Sequence, residues 1–238
     1  MKCSSYQNWK RGIHMRVTER FAKETGREYA LRILKENIIH LDLIPGTMLS
    51  ENELASEMKL SRTPVREALI ELSRSGIVEI FPQKGSALTL IDYSMVEEAR
   101  FMRNVLECAV VELDCGIEAP GMLEELETNV QLQEFYLKNR SSEKLLELDN
   151  QFHRMLFQMA GKPQVYALMG SITIHFDRVR SMSLATVKEL KTVSDHRAIL
   201  DAVRAGDKEG ARTLMETHLS RYKIDQEELR EKYPGYFK

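Results

Sequence analysis

The chain has 238 residues, of which 43% are hydrophobic and 29% charged, and its formal net charge is −2. This length and composition are typical of two modest globular domains. No apolar run approaches the roughly 20 residues of a membrane-spanning helix, and the first residues lack the apolar core of a signal peptide. The three cysteines form no C-x-x-C pair, so we expect reduced thiols and a cytoplasmic protein without a membrane partner.

The beginning of the chain predicts an arm and two helices. Residues 1–24 are expected to form a flexible arm, since most of this stretch is polar and aperiodic. A broad apolar face predicts a helix over residues 27–41. Ser50, with Glu53 three residues later, forms a capping box that predicts a second helix. Residues 59–61 then provide the tight connection that is typical of a helix-turn-helix.

Residues 61–76 are the most informative stretch, because they predict a short helix with arginines near its beginning. Ser61 or Thr63 can cap the first turn. Apolar residues at helical spacing form one stripe, and Arg62 and Arg66 lie off that stripe and are free to face outward. Two outward arginines on the first turns of a capped helix suit the DNA major groove.

A hairpin is predicted directly after this helix. Two short strand patterns, at 77–81 and 86–90, flank a tight turn that contains Lys84 and Gly85. The helices and hairpin in this order predict a winged helix-turn-helix over residues 25–91. The alternative is a generic helical domain with a hairpin, whose arginines are merely solvated.

The charge distribution agrees with a DNA-binding front half. Residues 1–91 contain 14 Lys and Arg against 11 Asp and Glu, whereas residues 92–238 contain 20 against 25. Such a small basic excess gives only weak long-range attraction to phosphate. We therefore expect two copies of the domain to bind together, as a homodimer on a palindromic operator of double-stranded DNA.

The second half of the chain predicts a different, helical domain. Over residues 92–225, apolar residues recur at spacings of three and four, and glycines and prolines interrupt the pattern. This predicts six or seven helices in an antiparallel bundle, so the fold class is mainly α: an N-terminal winged helix-turn-helix plus a C-terminal all-α antiparallel helical bundle. Residues 226–238 form a C-terminal tail, whose aromatic side chains either dock on the bundle or a partner subunit or fray.

Four residues of the helical half have the chemistry of a metal site. Asp149 and His153 are four positions apart, on one face of a predicted helix. His196 and His218 lie on two later helices joined by a short turn, so they can face each other. One carboxylate and three imidazoles suit Zn²⁺, Ni²⁺ or Mn²⁺ and leave coordination positions open. The alternative is that each histidine is an ordinary surface or core residue.

The front half resembles the GntR family of bacterial transcription regulators. The resemblance rests on Pro45-Gly46, Leu49-Ser50-Glu51, Glu53-Leu54-Ala55, the run from Ser61 to Leu69, Leu72, Gly76 and Gly85. It implies DNA contacts from the recognition helix and the wing, by Ser61, Arg62, Thr63, Arg66, Lys84 and Gly85. Arg62 and Arg66 would contact bases or phosphates, Thr63 a phosphate, and Lys84 the minor groove. Asn52 stands where many members have an arginine, which implies an altered base contact.

The rear half resembles the FCD effector domain of the FadR-like branch of that family. The resemblance rests on Arg103-Asn104-Val105-Leu106-Glu107, on Asp149-x-x-Phe152-His153 and on the run from His196 to Leu219. It implies that Asp149, His153, His196 and His218 coordinate a divalent metal. It also implies that Arg103 pairs with a carboxylate of the effector. The alternative for Arg103 is an ion pair with Glu107, four residues further along the same helix.

Together these resemblances imply a metabolite-responsive transcription regulator that binds an operator and a small carboxylate and is not an enzyme. Two alternatives stay open. The Asp/His cluster could hold a catalytic metal with an activated water, as in a metal-dependent hydrolase, although no general base stands out beside it. Otherwise the metal could be purely structural and support a dimer that responds to no ligand.

Overall fold

The computed structural model describes residues 15–139, 141–184, 189–220 and 226–238, and it is mainly α-helical, which confirms the predicted fold class. Its elements are α1 (Gly26–Ile39), β1 (Met48–Leu49), α2 (Glu51–Glu57), α3 (Arg62–Arg74), β2 (Val78–Phe81), β3 (Gly85–Leu88), α4 (Tyr93–Asp114), α5 (Pro120–Lys138), α6 (Ser142–Met159), α7 (Pro163–Met169), α8 (Ile174–Leu184), α9 (Glu189–Ala205), α10 (Lys208–Ser220) and α11 (Gln226–Lys232). The described chain divides into two compact units. One contains the residues up to Tyr93 together with Arg230–Lys238, and the other contains Ser94–Leu229.

Local capping defines where the helices of the first unit begin. α1 follows a complete capping box, in which the amide of Glu28 donates to Thr25 Oγ1 at 3.2 Å and the amide of Thr25 donates to Glu28 Oε2 at 2.7 Å. α2 follows Ser50, whose hydroxyl accepts from the amide of Glu53. α3 follows Ser61, which occupies the N-cap position but makes no side-chain capping hydrogen bond to any described residue.

The helix-turn-helix and the hairpin share one apolar core. Both α1 and α2 pack on α3, which buries Val65, Ala68, Leu69 and Leu72. Gly76, at φ +72°, provides the left-handed residue predicted after α3. The strands form an antiparallel sheet in the order β1-β3-β2, with β2 and β3 as the predicted hairpin. β1 has only two residues, which is too short to leave an alternating pattern in the sequence.

The described part of the predicted arm lies against α1. The side chain of Asn37 accepts from the amide of Arg16 at 2.7 Å and donates to the carbonyl of Arg16 at 2.9 Å. The guanidinium of Arg32 lies 4.2 Å from the centre of the Phe21 ring, and the Tyr29 hydroxyl donates to the carbonyl of Thr18. Residues 15–24 are therefore held by side chains of α1, while the first 14 residues of the arm lie outside the described residues.

The C-terminal residues pack on the last segment of the first unit. The amide of Ile91 donates to the carbonyl of Tyr236 at 2.7 Å, and the amide of Lys238 donates to the carbonyl of Ile91 at 3.0 Å. The rings of Tyr93 and Phe237 stack with their centres 5.1 Å apart. The tail thus contacts the segment around Ile91 and Tyr93. The sequence predicted docking on the helical bundle or on a partner subunit and did not include this segment.

The second unit is a helical domain with its own apolar core. α5 packs on α6 and α9, and α9 packs on α10. Only Gly206 and Asp207 separate α9 from α10, and Gly206 adopts φ +70°, so these two packed helices run antiparallel. Side chains at the centre of this core include Val111, Leu126, Val130, Phe152, Ile199, Leu200, Ala211, Met215 and Leu219. Within the described ranges, no helix is both long enough and apolar enough to cross a membrane.

Candidate functional site

The beginning of α3 presents a basic surface. The side chains of Arg62 and Arg66 are 66% and 70% exposed, and Ser61 and Thr63 beside them are exposed as well. The opposite side of α3 is buried, so packing against α1 and α2 orients this exposed surface. Arg62 Nη2 lies 3.1 Å from Oε2 of Glu51, and Arg66 Nε lies 4.0 Å from Oε1 of the same carboxylate. Because these pairs are exposed, they contribute little to stability.

The remaining predicted DNA contacts are also exposed. Asn52 lies on the first turn of α2, and Lys84 lies in the turn between β2 and β3. The amide of Lys84 donates to the carbonyl of Phe81, which closes this turn. Gly85 adopts φ +97°, a left-handed conformation in which a residue with a side chain would be strained.

The four predicted metal ligands lie together in the helical unit. Asp149 and His153 come from α6, His196 from α9 and His218 from α10, and all four side chains are buried. Their ligand atoms lie within 4.8 Å of one another. Nε2 of His153 is 3.3 Å from Nε2 of His218, and Nε2 of His196 is 3.7 Å from Oδ1 of Asp149. The structure therefore brings together the whole set proposed from the sequence.

Each histidine has a polar neighbour on the side of the ring that faces away from the cluster. Nδ1 of His153 lies 2.5 Å from Oε2 of Glu107, and Nδ1 of His218 lies 3.5 Å from Oδ2 of Asp195. Nδ1 of His196 is hydrogen-bonded to Oε1 of Gln133 at 2.7 Å. Such contacts fix ring orientation in metal sites and turn the Nε2 atoms toward a shared centre.

The charges of the cluster favour a cation. Burial holds the pKa of His153 and His196 below the ordinary value, so both imidazoles are neutral near pH 7. Burial opposes ionisation of Asp149, but Arg180, 2.8 Å from Oδ2, and the histidines outweigh it and hold the pKa of Asp149 below its usual range. Neutral imidazoles and an ionised carboxylate are the forms that bind a divalent metal, so the residues present fit one.

Arg103 lies next to this cluster, where it is buried on α4. Its Nε is 2.5 Å from Oε1 of Glu107, and its guanidinium lies 4.9 Å from the centre of the Phe176 ring. The ion pair with Glu107, weighed as the alternative from the sequence, is thus present. Burial opposes ionisation of Glu107, but Arg103 and His153 outweigh it and lower its pKa, so Glu107 is a carboxylate that both groups contact.

Sequence reasoning missed the contact of Gln133 with this cluster. It considered Glu107 only as a partner of Arg103, and Arg180 only as a residue that lines the cavity or lies at the surface. Glu107 and Gln133 contact the Nδ1 atoms of two histidines, and Arg180 pairs with the carboxylate of Asp149. Their only sequence signal was a polar residue within a helical pattern. Such a residue is usually solvated, and its burial depends on helices far away in the sequence.

Each of the two units matches a known protein family. Residues 28–88 match the gntR family of bacterial regulatory proteins, and residues 98–221 match the FCD domain. The chain belongs to the GntR family. It is a GntR-family transcription regulator with an FCD effector domain, as the sequence resemblances predicted.

Individual relatives agree with this assignment. This GntR regulator is 37% identical, over 86% of both chains, to an uncharacterized HTH-type transcriptional regulator in an unstable DNA locus of Streptomyces ambofaciens. It is 30% identical to the HTH-type transcriptional repressor RspR of Escherichia coli K12, with 87% of this chain and 91% of RspR covered. The solved structure of E. coli McbR/YncC has the same fold, with a TM-score of 0.75 at 19% identity over 88% of this chain and 99% of that one.

Proposed function

We propose that operator binding by this GntR regulator is controlled by a small carboxylate metabolite, which binds at a divalent metal in the FCD domain. The observation on which this depends is the buried cluster of Asp149, His153, His196 and His218, in a chain whose recognition helix exposes two arginines. The buried, neutral imidazoles of His153 and His196 beside the ionised carboxylate of Asp149 cost free energy unless a ligand satisfies them. Asp149, His153, His196 and His218 would hold the metal, and a carboxylate of the metabolite would bind as a further ligand of that metal.

The metal in this proposal is Zn²⁺, with Ni²⁺ or Mn²⁺ as the alternatives, because imidazole and carboxylate suit all three. When bound, it supplies a Lewis acid that holds an oxygen of the metabolite. Arg103 is the proposed second contact for the metabolite, since it lies beside the cluster and a guanidinium suits bidentate pairing with a carboxylate.

For the DNA, we propose contacts from the exposed residues of the first unit, by Ser61, Arg62, Thr63 and Arg66 on or beside α3, Asn52 on α2, and Lys84 and Gly85 in the wing. Major-groove contacts by α3 and minor-groove contacts by the wing would fix the orientation of each unit on the operator. The E. coli relative is named a repressor, and we propose the same sense of regulation here. A regulator of this kind works on chromosomal DNA and hence in the cytoplasm.

The proposed assembly is a homodimer on a palindromic operator. One side of α4 supports it, because Phe101, Val105 and Leu113 are 69%, 52% and 49% exposed and recur at four-residue multiples along the helix. Such a row of exposed apolar side chains is typical of a protein–protein contact. A metabolite that changed the separation of two recognition helices would prevent both from reaching their half-sites.

A purely structural metal is the second candidate, and the deep burial of all four ligands favours it. Catalysis is a weaker candidate, because the nearest carboxylates, Glu107 and Asp195, face imidazole nitrogens where they orient the rings. We therefore propose a regulator that is not an enzyme.

The test starts with the full-length protein and an operator selected from random duplex DNA. The selected operator is titrated at fixed salt, with Zn²⁺ or with a chelator, in the presence of a panel of small carboxylates. We expect at least one carboxylate to change the affinity tenfold or more, only when Zn²⁺ is present. His153→Ala combined with His218→Ala should abolish this response and remove the metal found by elemental analysis, whereas His40→Ala in α1's C-cap should change neither.

A structural metal gives a different result. Chelation would then lower the melting temperature, and no carboxylate would alter operator affinity. Unchanged metal content in the double histidine variant would reject the metal centre itself, and absence of any selected operator would reject the DNA contacts.

A further inference from the structure

A chain of amide hydrogen bonds ends at His196. It begins at the backbone carbonyl of Leu148, the residue before Asp149 on α6, which accepts from Nδ2 of Asn129 at 3.1 Å. A backbone carbonyl is only an acceptor, so the side chain of Asn129 must point its NH₂ group toward it. Its Oδ1 is therefore turned toward Gln133, the next residue in the series of hydrogen bonds.

The next bond transmits this orientation along α5. Nε2 of Gln133 donates to Oδ1 of Asn129 at 2.7 Å, so the carbonyl Oε1 of Gln133 is left to face His196. The distance from Oε1 to Nδ1 of His196 is 2.7 Å, and an amide oxygen only accepts. Nδ1 of His196 must therefore have the hydrogen. Flipping either amide would place two acceptors or two donors against each other.

Burial makes this arrangement strict. Asn129, Gln133 and His196 are 3%, 1% and 0% exposed, so water does not replace a mismatched partner. A neutral imidazole with its hydrogen on Nδ1 has a lone pair on Nε2, which is the atom 3.7 Å from Oδ1 of Asp149. The amide of Gln133 orients His196 without adding a charge, whereas Glu107 places a carboxylate against His153.

We propose that Asn129 and Gln133 are positioning residues, which fix the tautomer of His196 so that Nε2 is the metal-binding atom. Neither residue is one of the four clustered ligands. The role in metal affinity rests on the proposed metal centre, but the tautomer itself exists with or without a metal. Orienting contacts of this kind are typically responsible for about 10–100-fold in metal affinity.

The experiment compares the full-length parent with Gln133→Met, which keeps the length of the side chain and removes the acceptor. We expect Zn²⁺ affinity, measured by competition with a chromophoric chelator, to fall about 10–100-fold. Without the acceptor, the tautomer with hydrogen on Nε2 can form and donate toward Asp149. In the metal-free protein, the ¹⁵N shifts of His196 should therefore indicate hydrogen on Nε2 instead of Nδ1. Gln131→Met, at an exposed position of α5, is the matched control and should change neither measurement.

A second variant separates hydrogen bonding from packing. Gln133→Glu keeps an acceptor opposite Nδ1 of His196, so its Zn²⁺ affinity should lie closer to that of the parent than to that of Gln133→Met. Equal losses in the Glu and Met variants would overturn the proposal. So would parent-like affinity and parent-like ¹⁵N shifts in Gln133→Met.

The parent alone also provides a decisive measurement, in case Gln133→Met does not fold. Its metal-free ¹⁵N spectrum, assigned by comparison with His196→Gln, should show hydrogen on Nδ1 of His196. Hydrogen on Nε2 would refute the proposed role of Asn129 and Gln133. If the parent binds no Zn²⁺, the metal centre fails, whereas the ¹⁵N spectrum still decides whether the amides set the tautomer.

Discussion

The residues proposed to bind ligands lie in opposite environments in the two units. On α3 of the first unit, the arginines proposed to contact DNA are 66% and 70% exposed and pair only with Glu51 among the contacts described. In the helical unit, Arg103, Arg180 and the four clustered ligands are at most 3% exposed, and each contacts a specific polar neighbour.

This difference follows from the size of the proposed ligands. DNA is large and highly charged, so a protein can bind it with solvated side chains at little cost to its own stability. A small metabolite must be enclosed to be recognised, and enclosure removes water from every charged group around it. Each buried charge then needs a partner within the protein, so substitutions should be tolerated on α3 but not around the cluster.

The largest expected effect tests the exposed half of this comparison. Arg62→Ala combined with Arg66→Ala should weaken operator binding about 100-fold or more, since a base contact by arginine is typically responsible for about 1–3 kcal/mol. Because both side chains are solvated, the melting temperature should stay within about a degree or two of the parent. Fluorescence anisotropy at fixed salt and circular dichroism measure the two quantities.

Arg74→Ala is the matched control for this pair, because Arg74 is an exposed arginine at the other end of α3. It should leave operator affinity within a factor of about three. If the double variant bound its operator as tightly as this control, the recognition surface would have to lie elsewhere on the first unit.

The helix-turn-helix was predictable because its signals are local. Ser50 with Glu53, the apolar stripe of α3 and Gly76 each determine structure within a few residues, and the structure has a helix or turn at each place. The packing of the arm and the tail was not predictable. It depends on Asn37 and Ile91, which lie far from their partners in the sequence and have no pattern that identifies them.

The buried face of α4 shows where sequence periodicity fails. Apolar residues at spacings of three and four, as predicted over residues 92–225, place Leu113 on the core side of this helix. Leu113 is nevertheless 49% exposed, while Arg103 and Glu107 are buried. Hydrophobicity assigns charged residues to the surface. Here charges from α4, α6 and α8 compensate one another, an arrangement that exists only after the helices have packed.

A smaller effect tests the role of Arg103. Arg103→Ala removes the charge that holds Glu107 ionised beside His153, so we expect Zn²⁺ affinity to fall about tenfold. With Zn²⁺ restored to saturation, the carboxylate response should still be reduced if Arg103 also contacts the metabolite. Chelator competition and operator titration measure these two effects separately.

Arg100→Ala is the control here, since Arg100 lies one turn earlier on α4 and pairs with Glu97 at the surface. It should leave Zn²⁺ affinity unchanged. An Arg103→Ala protein with parental Zn²⁺ affinity but no carboxylate response would show that Arg103 contacts the effector. It would also show that Arg103 does not affect Zn²⁺ binding through Glu107 and His153.

A last prediction concerns stability and Asp114, a buried carboxyl at the end of α4 whose oxygens have no hydrogen-bond partner among the described residues. Burial raises its pKa to about 8, against about 3.9 for an exposed aspartate. Between these two values the folded protein keeps a proton that the unfolded chain has lost. The free energy of unfolding should therefore fall as pH rises, by about 1.4 kcal/mol per pH unit, until the folded carboxyl itself ionises.

Asp114→Asn has no such proton to lose, so the stability of the parent relative to this variant should decrease from pH 5 to pH 7. Urea unfolding at pH 5, 6 and 7 measures the difference, and titration of other groups cancels from it. Asp201→Asn, at an exposed position of α9, should give a curve parallel to the parent. If the stability of Asp114→Asn showed the same pH dependence as that of the parent, a partner would have to compensate the charge of Asp114. Asp114 would then be paired, like the other buried charges described in this unit.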